Sequence, residues 1–152
     1  MRDESASDAA GVDFISSMGA LLERWGLPQT TGRLYGYLLL QNTPVDLDTM
    51  VQDLGQSKSG LSVAARQLES WSVARRQTQP GSRRVCYEAV GDVRRLLEAN
   101  NAHLRAFSNT LRLGVAAARG GSRERISDLA DLFTLYVDQA DRVLAAWEAE
   151  RE

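Results

Sequence analysis

The sequence predicts a mainly α-helical chain with one small two-stranded β-ribbon, organised around a helix-turn-helix. Three observations carry that expectation. Two short amphipathic segments, residues 47–54 and 57–71, flank the turn Gly55-Gln56. Residues 73–77 and 85–89 are strand-like on either side of the turn Pro80-Gly81-Ser82. Between Gly55 and Arg84 the cations Lys58, Arg66, Arg75, Arg76, Arg83 and Arg84 face Glu69 as the sole acid, a local charge of +5 in a chain of net −2. A basic island in an acidic chain is the electrostatic signature of a surface that meets polyanions.

Composition sets the outer bounds. The 152 residues suit one ordinary domain, or a small one with helical extensions, and 43% hydrophobic residues suffice for a core. No apolar run approaches the roughly 18 residues that span a bilayer, so no membrane association is expected. The first thirteen residues are acidic and rich in small side chains. They lack the basic start and apolar centre of a secretion signal, which gives a cytoplasmic expectation. The single cysteine, Cys86, excludes an internal disulfide framework.

In chain order, residues 1–12 are expected to be disordered. A helix follows over about 13–25, with Phe14, Ile15, Met18, Leu21, Leu22 and Trp25 spaced three and four apart. Gly26-Leu27-Pro28 ends it. A second helix covers about 29–41. There Gly32 and Gly36 lie one turn apart; they are either close-contact positions or tolerated weak points, and their cost of roughly 2 kcal/mol against alanine favours the former. Asp46 can cap the next helix, with Leu47, Met50, Val51 and Leu54 on its buried face. Ser57 can cap the helix after it. On that helix Leu61, Ala64, Ala65 and Leu68 form an inward stripe. Ser59, Ser62, Val63 and Arg66 form a second stripe on roughly the opposite side. A merely solvated face is usually rich in Glu and Lys, whereas small hydroxyls plus arginine suit a crowded groove.

The rest of the chain is expected to be helical. Asp92 begins a long helix to about Arg119, striped by Val93, Leu96, Leu97, Leu104, Phe107 and Leu111, with Gly114 either a contact site or a weak point. Gly120-Gly121 breaks it. A last helix, capped by Ser122, carries Ile126, Leu129, Phe133, Tyr136, Ala140, Val143 and Trp147 at alternating spacings of three and four, a heptad seam. These helices could fold on one another within a chain. Pairing between two chains is the favoured expectation, because a heptad seam takes a partner helix and most oligomers are twofold. Three regions result: 1–12; an N-terminal arm with the helix-turn-helix unit over 13–91; and a helical dimerisation region over 92–152.

Sequences of this pattern resemble the winged helix-turn-helix MarR family, and this chain looks most like its GbsR-type branch. The resemblance rests on Gly26-Leu27-Pro28, Gly32-Arg33, Gly36-Tyr37-Leu38-Leu39-Leu40, Leu47-Asp48, Leu54-Gly55, Ser57-Lys58-Ser59, Ser62, Leu68-Glu69 and Pro80-Gly81-Ser82-Arg83-Arg84. It covers about residues 14–87; beyond them only helical character agrees. It implies a homodimeric transcriptional regulator, usually a repressor, with a recognition helix in the major groove and a wing arginine in the minor groove. Ser57, Lys58, Ser59, Ser62 and Arg66 fall on that helix and Arg84 on that arginine. Many relatives carry an aspartate two residues before it. Here Ser82 stands there, so either the wing is more mobile or Ser82 bonds the backbone instead.

The expected partner is double-stranded DNA. Ser57 and Lys58 suit phosphates near a helix N-terminus. Ser59, Ser62 and Arg66 suit base edges, and Val63 either a thymine methyl or plain exposure. Arg83 and Arg84 belong to the wing tip, and Arg75 and Arg76 to phosphates or nearby carboxylates. Arg33 fits a phosphate contact or a structural ion pair. A crevice of Trp25, Tyr35, Tyr37, Trp71 and Phe107 could hold a small-molecule effector, although aromatics at helical spacing more often form plain core. No cofactor or metal is expected. His103 is the sole histidine, Cys86 lacks a nearby His or Cys and reads either as an inert strand thiol, the favoured reading, or as a redox sensor beside Arg84, and Asp128, Asp131, Asp138 and Asp141 suit a solvated face. No enzyme site emerges. A protein-interaction adaptor is the alternative, since heptad ends also suit hetero-pairing.

Overall fold

The computed structural model describes residues 2–91 and 93–151. Its elements are α1 (Arg2–Arg24), α2 (Gln29–Leu40), β1 (Val45–Asp46), α3 (Leu47–Leu54), α4 (Lys58–Ser70), β2 (Ala74–Thr78), β3 (Val85–Ala89), α5 (Val93–Ala117) and α6 (Gly121–Ala149). They form two compact units, Met1–Val93 and Arg94–Glu152.

In the first unit, α1 and α2 are held together by their glycines. A Cβ on Gly32 would lie 2.7 Å from the Met18 carbonyl oxygen, and one on Gly36 would lie 3.1 Å from Met18 Cβ. These are close-contact positions, as their cost had suggested. Helix α1 starts at Arg2 rather than near Asp13, so residues 2–12, within the segment expected to be disordered, are helical. Apolar periodicity does not register it, yet Ala6, Ala9 and Ala10 are strong helix formers.

The helix-turn-helix takes its expected form. Asp46 Oδ1 accepts from the Thr49 N–H at 2.8 Å, and Ser57 Oγ accepts from the Gly60 N–H at 3.1 Å, so both caps are made. Leu61, Ala64, Ala65 and Leu68 are all buried, while Ser59, Val63 and Arg66 are exposed and Ser62 is half-buried. Helix α2 grips both helices of the motif. The Thr31 hydroxyl donates to Gln67 Oε1 at 2.7 Å, and the Tyr37 hydroxyl donates to Asp53 Oδ2 at 2.5 Å.

The ribbon differs from expectation by one strand. Two residues, β1, pair antiparallel with β3 (Val45 opposite Tyr87, Asp46 opposite Cys86), giving a sheet of order β1-β3-β2. A two-residue strand has no periodicity to read, so the sequence showed only β2 and β3. Because β3 is central, neighbouring residues on both of its faces, Cys86 and Tyr87, are buried. Strand β2 pairs with β3 from Ala74 opposite Ala89 to Thr78 opposite Val85. At the hairpin tip the Ser82 N–H bonds Gln79 O at 3.1 Å, and Gly81 has φ +80°. Proline then glycine is the pairing a type II turn requires.

The second unit is a hairpin of α5 and α6. The start expected at Asp92 lies outside the described residues, as does the Val93 side chain. Asn101, Ser108, Ala130 and Val137 are its buried residues among those described, so its seam is narrow and half polar. Ser108 Oγ donates to Ala130 O at 2.9 Å and lies 2.7 Å from Thr134 Oγ1; Asn101 Nδ2 donates to Asp141 at 2.9 Å. Three of the four acids expected on a solvated face are exposed and also form a ladder across the hairpin. Asp131 pairs with Arg112 at 3.1 Å, and Arg105 takes Asp138 at 3.0 Å and Asp141 at 2.8 Å. The heptad seam of α6 divides. Ile126, Phe133 and Ala140 are half-buried, whereas Leu129, Tyr136 and Val143 are exposed, with Leu132 and Leu135 beside them.

Candidate nucleic-acid interface

The outward face of α4 exists because its inward face is so fully used. Four apolar positions at 0, 3, 4 and 7 fix the roll of the helix, which leaves Ser59, Val63 and Arg66 facing out. Val63 is 61% exposed, unusual for a β-branched apolar residue in a well-packed unit. Arg66 lies back along its own helix, with Nη2 3.3 Å from Ser62 Oγ and Nε 3.4 Å from Ser62 O. Among the described residues it has no carboxylate partner, so it can extend at little cost. Beside this face, an open groove of about 360 Å³ runs between the start of α2 and α4, lined by residues including Pro28, Thr30, Ser59, Gly60 and Val63.

The candidate cations divide into paired and free. Lys58 Nζ lies 2.9 Å from Asp48 Oδ1, and Arg84 Nη1 lies 3.6 Å from Asp46 Oδ2. Arg75 pairs with Glu88 across β2 and β3, where Gln77 donates to the same carboxylate. Arg76 and Arg83 are exposed, and among the described residues neither has an ion-pair partner. Ser82 Oγ accepts from the Arg84 N–H at 3.1 Å. This is the backbone bond left open as one outcome of having serine at the wing position, and Asp46 supplies the carboxylate from another element.

Asp46 therefore has two partners. Its bond from the Thr49 backbone N–H holds its carboxyl below the usual carboxylate range, and the nearby Arg84 charge acts in the same direction. Tyr37 is shifted the other way: burial first, then the bond to Asp53, pushes its phenol far above the ordinary tyrosine range. Asp53, just before the basic island, has its Oδ2 engaged by the Tyr37 hydroxyl. Sequence counting did not name Asp46 and Glu88 as counter-charges. Their signal was the strand register, which places Arg75 opposite Glu88.

The remaining candidates are scattered. Arg33 Nη2 donates to Leu54 O at 3.4 Å, and among the described residues its guanidinium meets no carboxylate and its buried Nε has no hydrogen-bond partner. Of the proposed effector aromatics, Tyr35 and Tyr37 are core, Trp71 is half-buried and Trp25 is exposed. Phe107 belongs to the second unit, edge-on to Phe133 with centroids 4.9 Å apart. Ser57 is engaged as a cap and Cys86 is buried. Among the described residues no cluster of His, Cys, Asp or Glu is placed to hold a metal ion, and no helix is long and apolar enough to cross a membrane.

A small antiparallel sheet joined to a helix-turn-helix defines a winged-helix fold, and comparison with solved structures agrees. A crystal structure described as that of a transcriptional regulator superposes with a TM-score of 0.74, at 21% identity, over 92% of this chain and 99% of that one. In sequence, the chain is similar to YvaV of Bacillus subtilis (strain 168), which bears the name of an HTH-type transcriptional regulator. The two are 27% identical over 79 residues, 52% of this chain and 45% of that protein. The match thus spans just under half of that relative's length. No family model matches the chain.

Proposed function

We propose that the protein is a homodimeric, sequence-specific regulator of transcription that binds double-stranded DNA, of the MarR type and its GbsR-like branch, and that it acts as a repressor in the cytoplasm. One observation carries this reading. The cation at the start of α4 and the wing arginine both reach acids of the same turn, Asp48 and Asp46, so a helix that can enter a major groove and a wing that can reach the adjacent backbone share one small surface. The names carried by the relatives point the same way.

In this reading Ser59, Ser62, Val63 and Arg66 meet base edges, Lys58 and the α4 N-terminus meet phosphate, Arg84 enters the minor groove, and Arg76 and Arg83 meet flanking phosphates. A second copy covers the outer apolar positions of α6, Leu129, Leu132, Tyr136 and Val143, and the exposed Phe14, Leu21 and Trp25 of α1. Twinned recognition helices about 34 Å apart would then meet successive major grooves. A small-molecule effector acting on that spacing is compatible with the arrangement.

The test is a salt titration of binding to a duplex selected from genomic fragments, with sedimentation to fix the oligomer. Expected are a dimer, affinity that falls steeply with salt, and clear loss on Arg84→Ala. A flat salt response, or no loss in that variant, would sink the assignment. A dimer that ignored all DNA at low salt would favour the adaptor reading instead.

A further inference from the structure

The two carboxylates that open α3 engage two cations of the candidate interface. Asp46 and Asp48 each have a local task, one as helix cap and one in the first turn. The cap does not require a charge, since asparagine caps a helix as well as aspartate does. Yet each carboxylate also holds a cation of the candidate interface, Asp46 taking Arg84 and Asp48 taking Lys58. Lys58 and Asp48 have mostly exposed side chains, at 63% and 73%, and in the other pair Arg84 is 75% exposed over an Asp46 that is 21% exposed. Exposed pairs are weak and screened by salt, so an arriving phosphate can displace the carboxylate. A buried pair could not be exchanged in this way.

We infer that Asp46 and Asp48 form an internal counter-charge that occupies Arg84 and Lys58 in the free protein, lowers affinity for every duplex, and thereby sharpens discrimination between sequences. The inference rests on the DNA-binding reading above. The selectivity follows from the physics of the competitor. Non-specific binding is almost wholly phosphate electrostatics, so a carboxylate that competes with phosphate bears hardest on it. Contacts from Ser59, Ser62 and Arg66 to base edges are untouched.

The test uses the full chain carrying Asp48→Asn or Asp46→Asn, the latter keeping a capping oxygen. Fluorescence anisotropy is read on the selected duplex and on a mixed-sequence duplex, at low and high salt. Asp128→Asn is the control. It makes the same charge change on α6, at an exposed carboxylate with no ion pair among the described residues. Each of the two variants should tighten binding about two- to fivefold at low salt, more on the mixed-sequence duplex, and the gain should shrink as salt rises. The control should change little. Unchanged or weaker binding, a gain indifferent to salt, or an equal gain in the control would overturn the inference. Should Asp46→Asn fail to fold, Asp48→Asn decides alone. Wild-type protein that binds no duplex would remove the DNA-binding reading itself. Wild-type protein that binds, with variants that do not tighten, removes this inference only.

Discussion

The two units solve the problem of burial differently. The first gathers Leu34, Leu38, Met50, Leu61, Leu68 and Val73 into a fully buried core drawn from three helices and the chain entering the sheet. Among the described residues the second has a single large apolar side chain at that level, Val137, and its seam is closed by Asn101, Ser108, Thr134 and an arginine–aspartate ladder. The difference teaches where each unit's specificity resides. The head is fixed by jigsaw packing of apolar groups, which tolerates little change in volume. The hairpin is registered by polar pairs and keeps much of its apolar surface outside, with Leu132, Leu135, Tyr136 and Val143 all about 60% exposed or more. A two-helix hairpin of that kind buries little apolar surface for its size, and this favours the partner helix pair of the proposed function.

Truncation in each unit should give the largest contrast. Leu61→Ala removes a side chain with no exposed surface and should cost about 2–5 kcal/mol in urea unfolding. Leu132→Ala, on the outer face of α6, should cost the isolated chain under about 0.5 kcal/mol. If a second copy covers that face, Leu132→Ala instead raises the dimer dissociation constant, visible by sedimentation. Equal losses in both, independent of protein concentration, would break the comparison.

Glycine to alanine should give opposite signs. At Gly32 the new methyl meets the Met18 carbonyl oxygen at 2.7 Å and Gly19 Cα at 3.0 Å, backbone atoms that cannot yield cheaply. Gly32→Ala should destabilise by about 1–3 kcal/mol despite better helix propensity. At Gly114 the nearest atom is Ile126 Cγ2 at 3.6 Å, an ordinary contact. There Gly114→Ala should gain close to the roughly 1 kcal/mol of intrinsic helix preference. Thermal melts of both variants check the pair, and a stabilised Gly32→Ala would mean that α1 and α2 are not in contact.

These contrasts also mark what could be read from the chain. The inward stripe of α4, both caps and the wing turn depend on residues within a few positions of each other, so periodicity and turn chemistry expose them. Strand β1 does not, because Val45 finds Tyr87 only across the fold. The same holds for the charges: Asp46 and Arg84, 38 positions apart, meet through β1 and the wing. The division of the α6 seam was hidden for a different reason. A stripe of apolar residues shows that a face wants cover, but Leu129 and Phe133 give no sign of which belongs to α5 and which to the outer side. Helix α1 was read short because its first turns have propensity without a stripe.

Helix ends supply a smaller effect. Helices α1 and α4 close alike: Leu27 N bonds Leu22 O and Gly26 N bonds Glu23 O in one, while Val73 N bonds Leu68 O and Ser72 N bonds Glu69 O in the other. The pattern calls for a left-handed residue. Gly26 meets it at φ +83°, but Ser72 meets it at φ +60° with a side chain attached. Ser72→Gly should therefore stabilise the head by up to about 1 kcal/mol. Destabilisation in urea melts would show that the Ser72 side chain contributes more than its strain costs.

Acid should act on both units with the same sign and the least force. Asp46 in the head is held below its ordinary pKa chiefly by the Thr49 backbone N–H, and Asp141 in the hairpin chiefly by Asn101 and then Arg105. A carboxyl depressed on folding binds its proton more readily in the unfolded chain. Its contribution is therefore complete above the unfolded value, near pH 4, and is lost as pH falls through the lower folded value. Both groups touch solvent, so salt should blunt the effect. In melts at pH 7 and pH 3, the gap between wild type and Asp141→Asn should narrow in acid, and likewise for Asp46→Asn. A gap that stays constant for Asp141→Asn but narrows for Asp46→Asn would sharpen the contrast between the units: the ladder of the hairpin would then set register by shape and hydrogen bonding, with charge contributing nothing to its stability.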